Sequence, residues 1–151
     1  MSTLDLSELH HRYHELLVEY WDDLRGTNLF PAESQIEPED IAEIWPWCFL
    51  ISIDDVTKRL GYRYSYLGSG LIEAFGDDSG NPDVAMKLLA TNDSSIIQKF
   101  DEVVTKRKQM IDESEFINLK NLKIKYRTCC LPLGVGEQVT HILGLMRWRV
   151  Y

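Results

Sequence analysis

Disulfide scaffolding is the first thing this sequence cannot supply. Of its 151 residues three are cysteine, Cys48 and the adjacent Cys129 and Cys130, and that spacing fits neither a disulfide framework nor a zinc site. No apolar run approaches the ~20 residues that a bilayer-spanning helix needs, and Met1 to Asp5 hold neither a basic leader nor an apolar signal core. A reducing, cytoplasmic setting with no membrane partner is therefore expected. Basic charge is also scarce. The 16 Lys and Arg stand against 24 Asp and Glu, and a net charge of −8 repels a phosphate backbone, which argues against nucleic-acid binding. A phosphate-cradling loop is missing too: Gly68, Gly70, Gly76 and Gly80 lack the dinucleotide spacing and a following Lys-Ser/Thr, so they read as backbone geometry.

What is present is ordinary globular composition, with 44% apolar and 26% charged residues, enough for one core. The charge is uneven. Residues 1–93 carry 6 Lys/Arg against 18 Asp/Glu, a net of −12, whereas residues 94–151 carry 10 against 6, a net of +4. The basic part is suited to an acidic partner or to the acidic half of another copy.

Between Leu4 and Leu24 the residues Leu6, Leu9, Tyr13, Leu16, Leu17, Tyr20, Trp21 and Leu24 recur at steps of three and four. That spacing predicts a one-sided helix, closed by Arg25 and Gly26. Its wide aromatic stripe is expected to cap a core or, through Leu9, Tyr13, Leu16, Leu17 and Tyr20, to pair with the same helix of a second protomer. Thr27 to Pro46, interrupted by Pro31, Pro38 and Pro46, reads as a loop with one short helix opening at Glu37 to Asp40 and anchored by Ile41, Ile44 and Trp45. Trp47 to Ile53 is an apolar run of strand length. A turn at Asp54 and Asp55 should follow, then an antiparallel strand beginning at Tyr62.

The alternating Tyr62, Tyr64 and Tyr66, expected to share one face, give way at Gly68 to a short helix pattern that ends at Phe75 and Gly76, with Gly80 beyond. Asn81 to Thr91 is weakly patterned, one or two helical turns with Met86, Leu88 and Leu89. Asn92, Asp93 and Ser94 then supply cap oxygens for a helix whose Ile96, Ile97, Phe100, Val103 and Val104 share a face and whose last turn holds Lys106, Arg107 and Lys108. Three further strands are expected over Met110 to Ile117, Ile124 to Leu133 and Val139 to Val150, joined by residues 118–121 and 134–137. In the last of them Ile142, Gly144, Met146, Trp148 and Val150 should face one way, while Arg147 and Arg149 mark the other face as partly solvated.

In this order the residues resemble the PAS fold, and more closely the single-domain PAS-like kind common in alphaproteobacteria. Three stretches carry the likeness. They are Trp21 to Gly26 with Pro31 and Ile36 to Ile41; Tyr64 to Gly70 with Phe75, Gly76 and Gly80; and Tyr126-Arg127 leading to Leu131 to Leu133, with Ile142 to Gly144 beyond. The resemblance implies an α+β domain over residues 27–151, a five-stranded antiparallel sheet with helices across one face, preceded by the amphipathic helix of residues 1–26. The middle strands would come from opposite ends of the chain, and a small molecule often lies between sheet and helices in such domains. The ligand stays open, because the cysteines fall on strands and not on a helix beside a flavin. A histidine on the central helices, where a haem ligand would stand, is absent as well.

The candidate pocket residues are Tyr64, Tyr66, Phe75, Phe100, Cys130 and Met146, with tyrosine hydroxyls as polar handles in an apolar setting. His10 and His14, one turn apart beside His11, form half of a metal site that nothing else completes, and a solvated polar face is the better reading. Cys129 and Cys130 point to opposite faces, so only one can enter the cavity, and strand thiols more often fill cores than react. Arg127 should find a surface ion pair or an anionic ligand. No acid, base and nucleophile set is brought together by spacing, so no catalytic residue is assigned. The expected function is that of a sensory or interaction module. It would act as a homodimer or on a separate signalling protein, with a small molecule as a bias, and any signal would leave by non-covalent contact because the final strand runs almost to Tyr151. The alternatives are a small-molecule enzyme using a pocket cysteine and a ligand-free dimeric scaffold.

Overall fold

The computed structural model describes residues 6–56, 59–76 and 94–151. Leu4, Gly80, the segment from Asn81 to Thr91 and the cap residues Asn92 and Asp93 lie outside the described residues. Helix α1 spans Leu6–Arg25, and three short 3-10 turns follow at Glu33–Gln35, Pro38–Ile41 and Trp45–Trp47. Strands β1 (Cys48–Val56) and β2 (Arg59–Leu67) lead into α2 (Ser69–Phe75). Helix α3 (Ser94–Lys106) precedes β3 (Met110–Ile117), β4 (Lys123–Val135) and β5 (Gln138–Val150).

The five strands form one antiparallel sheet in the order β2-β1-β5-β4-β3. Its centre joins the two ends of the chain, as expected: Phe49 stands opposite Gly144 and Ile51 opposite Ile142. Gly144 has to be glycine there, because a Cβ would land inside the Phe49 ring that lies across it. Period-two alternation then divides the apolar residues between two cores. On one face Phe49, Ile51, Ile124, Cys130, Ile142 and Met146 pack beneath α2 and α3, which contribute Leu71, Phe75, Phe100 and Val103. On the other, Cys48, Leu50, Cys129, Leu131, Leu143 and Leu145 pack against Leu17 of α1 and against Ile41 and Ile44 of the 3-10 segments.

Both faces are therefore roofed. Helices α2 and α3 cover one face, and α1 lies on the opposite one with its aromatic stripe turned inward, where Tyr13, Leu16, Tyr20 and Trp21 pack around the fully buried Leu17. The Trp21 indole donates to the Pro132 carbonyl at 2.8 Å and fixes the helix over β4.

Three local expectations change. The turn does not fall at Asp54 and Asp55, because β1 continues to Val56 and pairs those acids with Gly61 and Leu60. The carboxylate of Asp54 is accommodated by an ion pair with Arg63 at 2.8 Å on the neighbouring strand. The segment from Thr27 to Pro46 holds three 3-10 turns in place of one short helix, since its prolines leave no run long enough for α-helical bonding. Tyr66 does not share a face with Tyr62 and Tyr64. Leu50 stands opposite Tyr66 and Ile51 opposite Tyr64, so Ser65 is an extra residue in β2, and that bulge returns Tyr66 to the α1 side.

The entry to α2 is held by close approach and not by unusual dihedrals. The Gly68 amide donates to Cys48 O at 2.9 Å, and a Cβ at Gly68 would strike Pro46 O and come within 2.8 Å of Cys48 O. Because those obstacles are backbone atoms, Gly68→Ala should cost at least about 1–3 kcal/mol in urea unfolding, whereas Gly61→Ala, which meets only contacts of 3.6 Å or more, should stay within the roughly 0.5 kcal/mol typical of tolerated surface changes.

Candidate functional site

The space between the sheet and the helices α2 and α3 is built mainly by aromatic side chains. Phe49 meets Tyr64 edge-on at 5.9 Å and Phe100 at 6.2 Å. Tyr62 lies 5.2 Å from Phe100, and its hydroxyl donates to the Asp101 carboxylate of α3. Burial first, then the Asp101 carboxylate, pushes the Tyr62 phenol well above its usual range. Farther along, Phe75, Phe116 and Tyr126 form a second chain of rings at 5.2 and 5.8 Å. Trp148 donates to Gly70 O at 2.8 Å, tying β5 to α2.

Into this apolar layer two adjacent strands put a pair of polar side chains. Asp112 of β3 and Thr128 of β4 are partners in register, and Met146 of β5 continues the row. Asp112 is 7% exposed and Thr128 1%. The Tyr126 hydroxyl donates to Asp112 at 3.3 Å, while the Thr128 hydroxyl is buried without a hydrogen-bond partner. Alternation along β4 places Tyr126, Thr128 and Cys130 on this same face.

Of the pocket residues named from the sequence, Tyr64, Phe75, Phe100, Cys130 and Met146 meet in or against this core. Tyr66 does not: it lies on the other face, stacked on Trp45 at 4.2 Å with its hydroxyl on Trp45 O at 2.9 Å. Of the helix residues named for dimerisation, Tyr13, Leu16, Leu17 and Tyr20 pack onto the sheet of their own chain, and Leu9 is placed on α1. On that face the Arg147 guanidinium is held between Tyr13 at 4.7 Å and Trp47 at 4.1 Å. Arg127, opposite it in register, finds the expected ion pair, with Glu113 at 3.2 Å.

Comparison with known proteins now decides the family, since the sequence matches the PAS domain over residues 9–147. The chain belongs to the PAS domain family. PAS domains are generic sensory or interaction modules, and the α+β architecture above accords with that membership. Among solved structures the chain is similar to the PAS domain of a protein from Colwellia psychrerythraea, at 14% identity and a TM-score of 0.44, covering 72% of this chain and 93% of that one. No curated protein matches the sequence. Among the described residues no helix is long and apolar enough to cross a membrane.

The chemistry of this PAS domain's thiols follows from burial. Cys130 faces the α2 and α3 side and Cys129 the α1 side, as alternation requires. Burial pushes Cys129 up to about 12 and holds Cys48 and Cys130 well above the ordinary thiol range, so thiolate, the nucleophilic form, is scarce. The leading-helix histidines separate by environment. His11 pairs with Glu15 at 2.9 Å in solvent. His14 is half-buried, 2.9 Å from the Gln109 amide, and not on the solvated face expected of it. Among the described residues no three His, Cys, Asp or Glu side chains converge as a metal set.

Two features had no clear signal in the sequence. Asn118, in the expected loop, is buried and donates to Ala74 O at 3.1 Å while accepting from the Lys120 and Leu122 amides, which seals the β3–β4 turn onto the end of α2. An open cleft of about 520 Å³ lies where Val104 and Arg107 at the end of α3 meet Ile53 and the β4–β5 hairpin, with Arg107 and Glu137 4.0 Å apart across it.

Two outcomes are expected. An aromatic disulfide reagent at about pH 8 should modify none of the three cysteines in the native protein within the time that urea-unfolded protein reacts fully. The second concerns acid stability. Burial first, then the Arg127 guanidinium and His11, lowers the His14 imidazole in the fold against the opposing Glu15. The native state therefore binds this proton less readily than the unfolded chain, and stability is lost as pH falls below about 6.5. His14→Gln should flatten that part of the decline in urea midpoints measured between about pH 7 and 5.

Proposed function

We propose that this PAS domain is a sensory module of the alphaproteobacterial PAS-like kind. It holds a small molecule between the sheet and α3 and reports by non-covalent association, with itself or with a signalling protein, and not by catalysis. The observation that carries the ligand is the buried Thr128 hydroxyl without a partner, beside the Asp112–Tyr126 pair in an otherwise apolar interior. An orphan hydroxyl at that depth costs about 1–3 kcal/mol, which a core selected only for packing would avoid. A polar group of a bound molecule removes that cost and is oriented by it, the usual arrangement of a small-molecule site. Phe100, Met146 and Cys130 supply the apolar walls, and the raised thiols favour Cys130 as wall over nucleophile.

Thr128→Val separates this reading from a ligand-free scaffold. If the hydroxyl serves a ligand, native mass spectrometry and absorption spectra of freshly purified protein should show a bound molecule in the wild type that is lost in the variant. The ligand-free variant should unfold at higher urea than ligand-stripped wild type. Wild type that carries nothing by mass and gives the same spectrum as Thr128→Val would return the scaffold reading.

A further inference from the structure

The apolar stripe of α1 is used up inside its own chain, so association along this helix needs another source of energy, and the charge on that side of the domain supplies one. Resting on the association reading above, we propose that a second copy of this chain docks antiparallel along α1, each copy's acidic ridge meeting the other's basic rows.

The basic rows lie on β4 and β5 past Arg147, which Tyr13 in the first half of α1 covers. Lys125 and Arg149 are cross-strand partners on the α1 face, both are exposed, and neither has a carboxylate partner among the described residues. One step inward, Arg147 is likewise without a carboxylate, its faces covered by Tyr13 and Trp47. The acidic ridge lies at the other end of the helix, on the 3-10 segments. There Glu37, Glu39, Asp40 and Glu43 are exposed and carry no ion pair among the described residues.

Contacts fix the order along α1. Tyr13 touches Arg147, whereas Tyr20 accepts from the Glu37 amide at 2.8 Å and the Leu24 carbonyl accepts from the Gln35 side chain at 3.2 Å. Trp21 reaches Pro132, the register partner of Ile142, so Arg149 stands roughly 23 Å farther along β5. On the exposed face of α1, Glu19, Asp22 and Asp23 add to the acidic end, with Asp22 already paired to Arg25, while Arg12 and Glu15 offset each other nearer the basic end.

A two-fold axis across the middle of the helix places each basic end over the partner's acidic end, satisfying both contacts with one self-complementary surface. Parallel stacking would set like charges together. The net charge of −8 does not prevent pairing, because repulsion between whole molecules is screened beyond about 8 Å at physiological salt while contacting charges are screened much less.

Sedimentation equilibrium at low and high salt tests this with two charge reversals, Lys125→Glu/Arg149→Glu and Glu39→Lys/Asp40→Lys. All four positions are exposed, and circular dichroism checks that the variants fold. Wild type is expected to dimerise, with affinity falling at least tenfold between about 50 and 500 mM salt. Each variant alone should be monomeric, and an equimolar mixture of the two should dimerise again, since the mixed pair restores opposite charges at both contacts. A dimer that ignores salt and survives both reversals overturns the charge-paired interface while leaving self-association standing. Wild type that stays monomeric at every salt and concentration overturns the interface and the self-association reading together, and leaves the bound-molecule test on Thr128 unaffected.

Discussion

The pairing of β1 with β5 is the constraint from which the rest of this PAS domain follows. It joins residues almost a hundred positions apart, with Phe49 opposite Gly144 and Ile51 opposite Ile142, so loop-closure entropy must be met before any reward arrives. The reward is concentrated. The Phe49 ring lies over Gly144, touches Tyr64 of β2 and approaches Phe100 of α3. One side chain thereby links the two central strands, an outer strand and the roofing helix. Without that pairing β2 and β1 would be a lone hairpin, marginal in water, and α2 and α3 would lose the floor on which they pack.

Much of this was legible because periodicity reports faces. The run from Trp47, the alternation in β5 and the stripe in α3 each located a strand or helix, and adjacency alone sorted Cys129 and Cys130 onto opposite sides. The misplaced tyrosine has a single cause: a strand's period holds only while its register does. Ser65 adds one residue to β2, and from that point Tyr66 faces the wrong way for the pocket. No residue type announces such a bulge, since serine pairs as readily as it bulges. The end of β1 was hidden for a related reason. Two adjacent aspartates look like a turn, yet the end of β1, which has run past β5 and pairs with β2 alone, tolerates them when Arg63 stands beside Asp54. Thr128 and Asp112 were illegible as a site because each reads singly as an outward polar residue, and only register puts them side by side under α3.

The two faces of the sheet show different physics from one alternating code. The α2 and α3 side has large rings in contact and encloses a hydroxyl and a carboxylate, the kind of interior in which a polar group is costly unless satisfied. The α1 side is filled by Leu131, Leu133, Leu143, Leu145 and the thiol of Cys129, and its polar demands come at the margin, where the Nε atoms of Arg127 and Arg147 are buried and Arg147 is stacked between Tyr13 and Trp47. The first interior holds the polar groups from which a bound molecule is argued, and the second is chiefly a structural seam between α1 and the sheet.

Net charge describes the second face poorly. A total of −8 averages over a domain with a group of carboxylates on the 3-10 segments and with cations that open β4 and close β5. Cross-strand pairing explains part of the basic group, since Glu113 and Glu115 neutralise Arg127 and Lys123. The pairing stops at the next strand, because β5 borders β1 and β4 and has no acidic neighbour in register with Arg147 or Arg149. Among the described residues those cations therefore have no carboxylate partner, for a topological reason. β1 ends its pairing with β5 at Cys48, opposite Leu145, just before the arginines begin. The same strand order that builds the core from both ends of the chain leaves its last residues projecting past their neighbour, and charge exposed there is available to whatever carries the opposite sign.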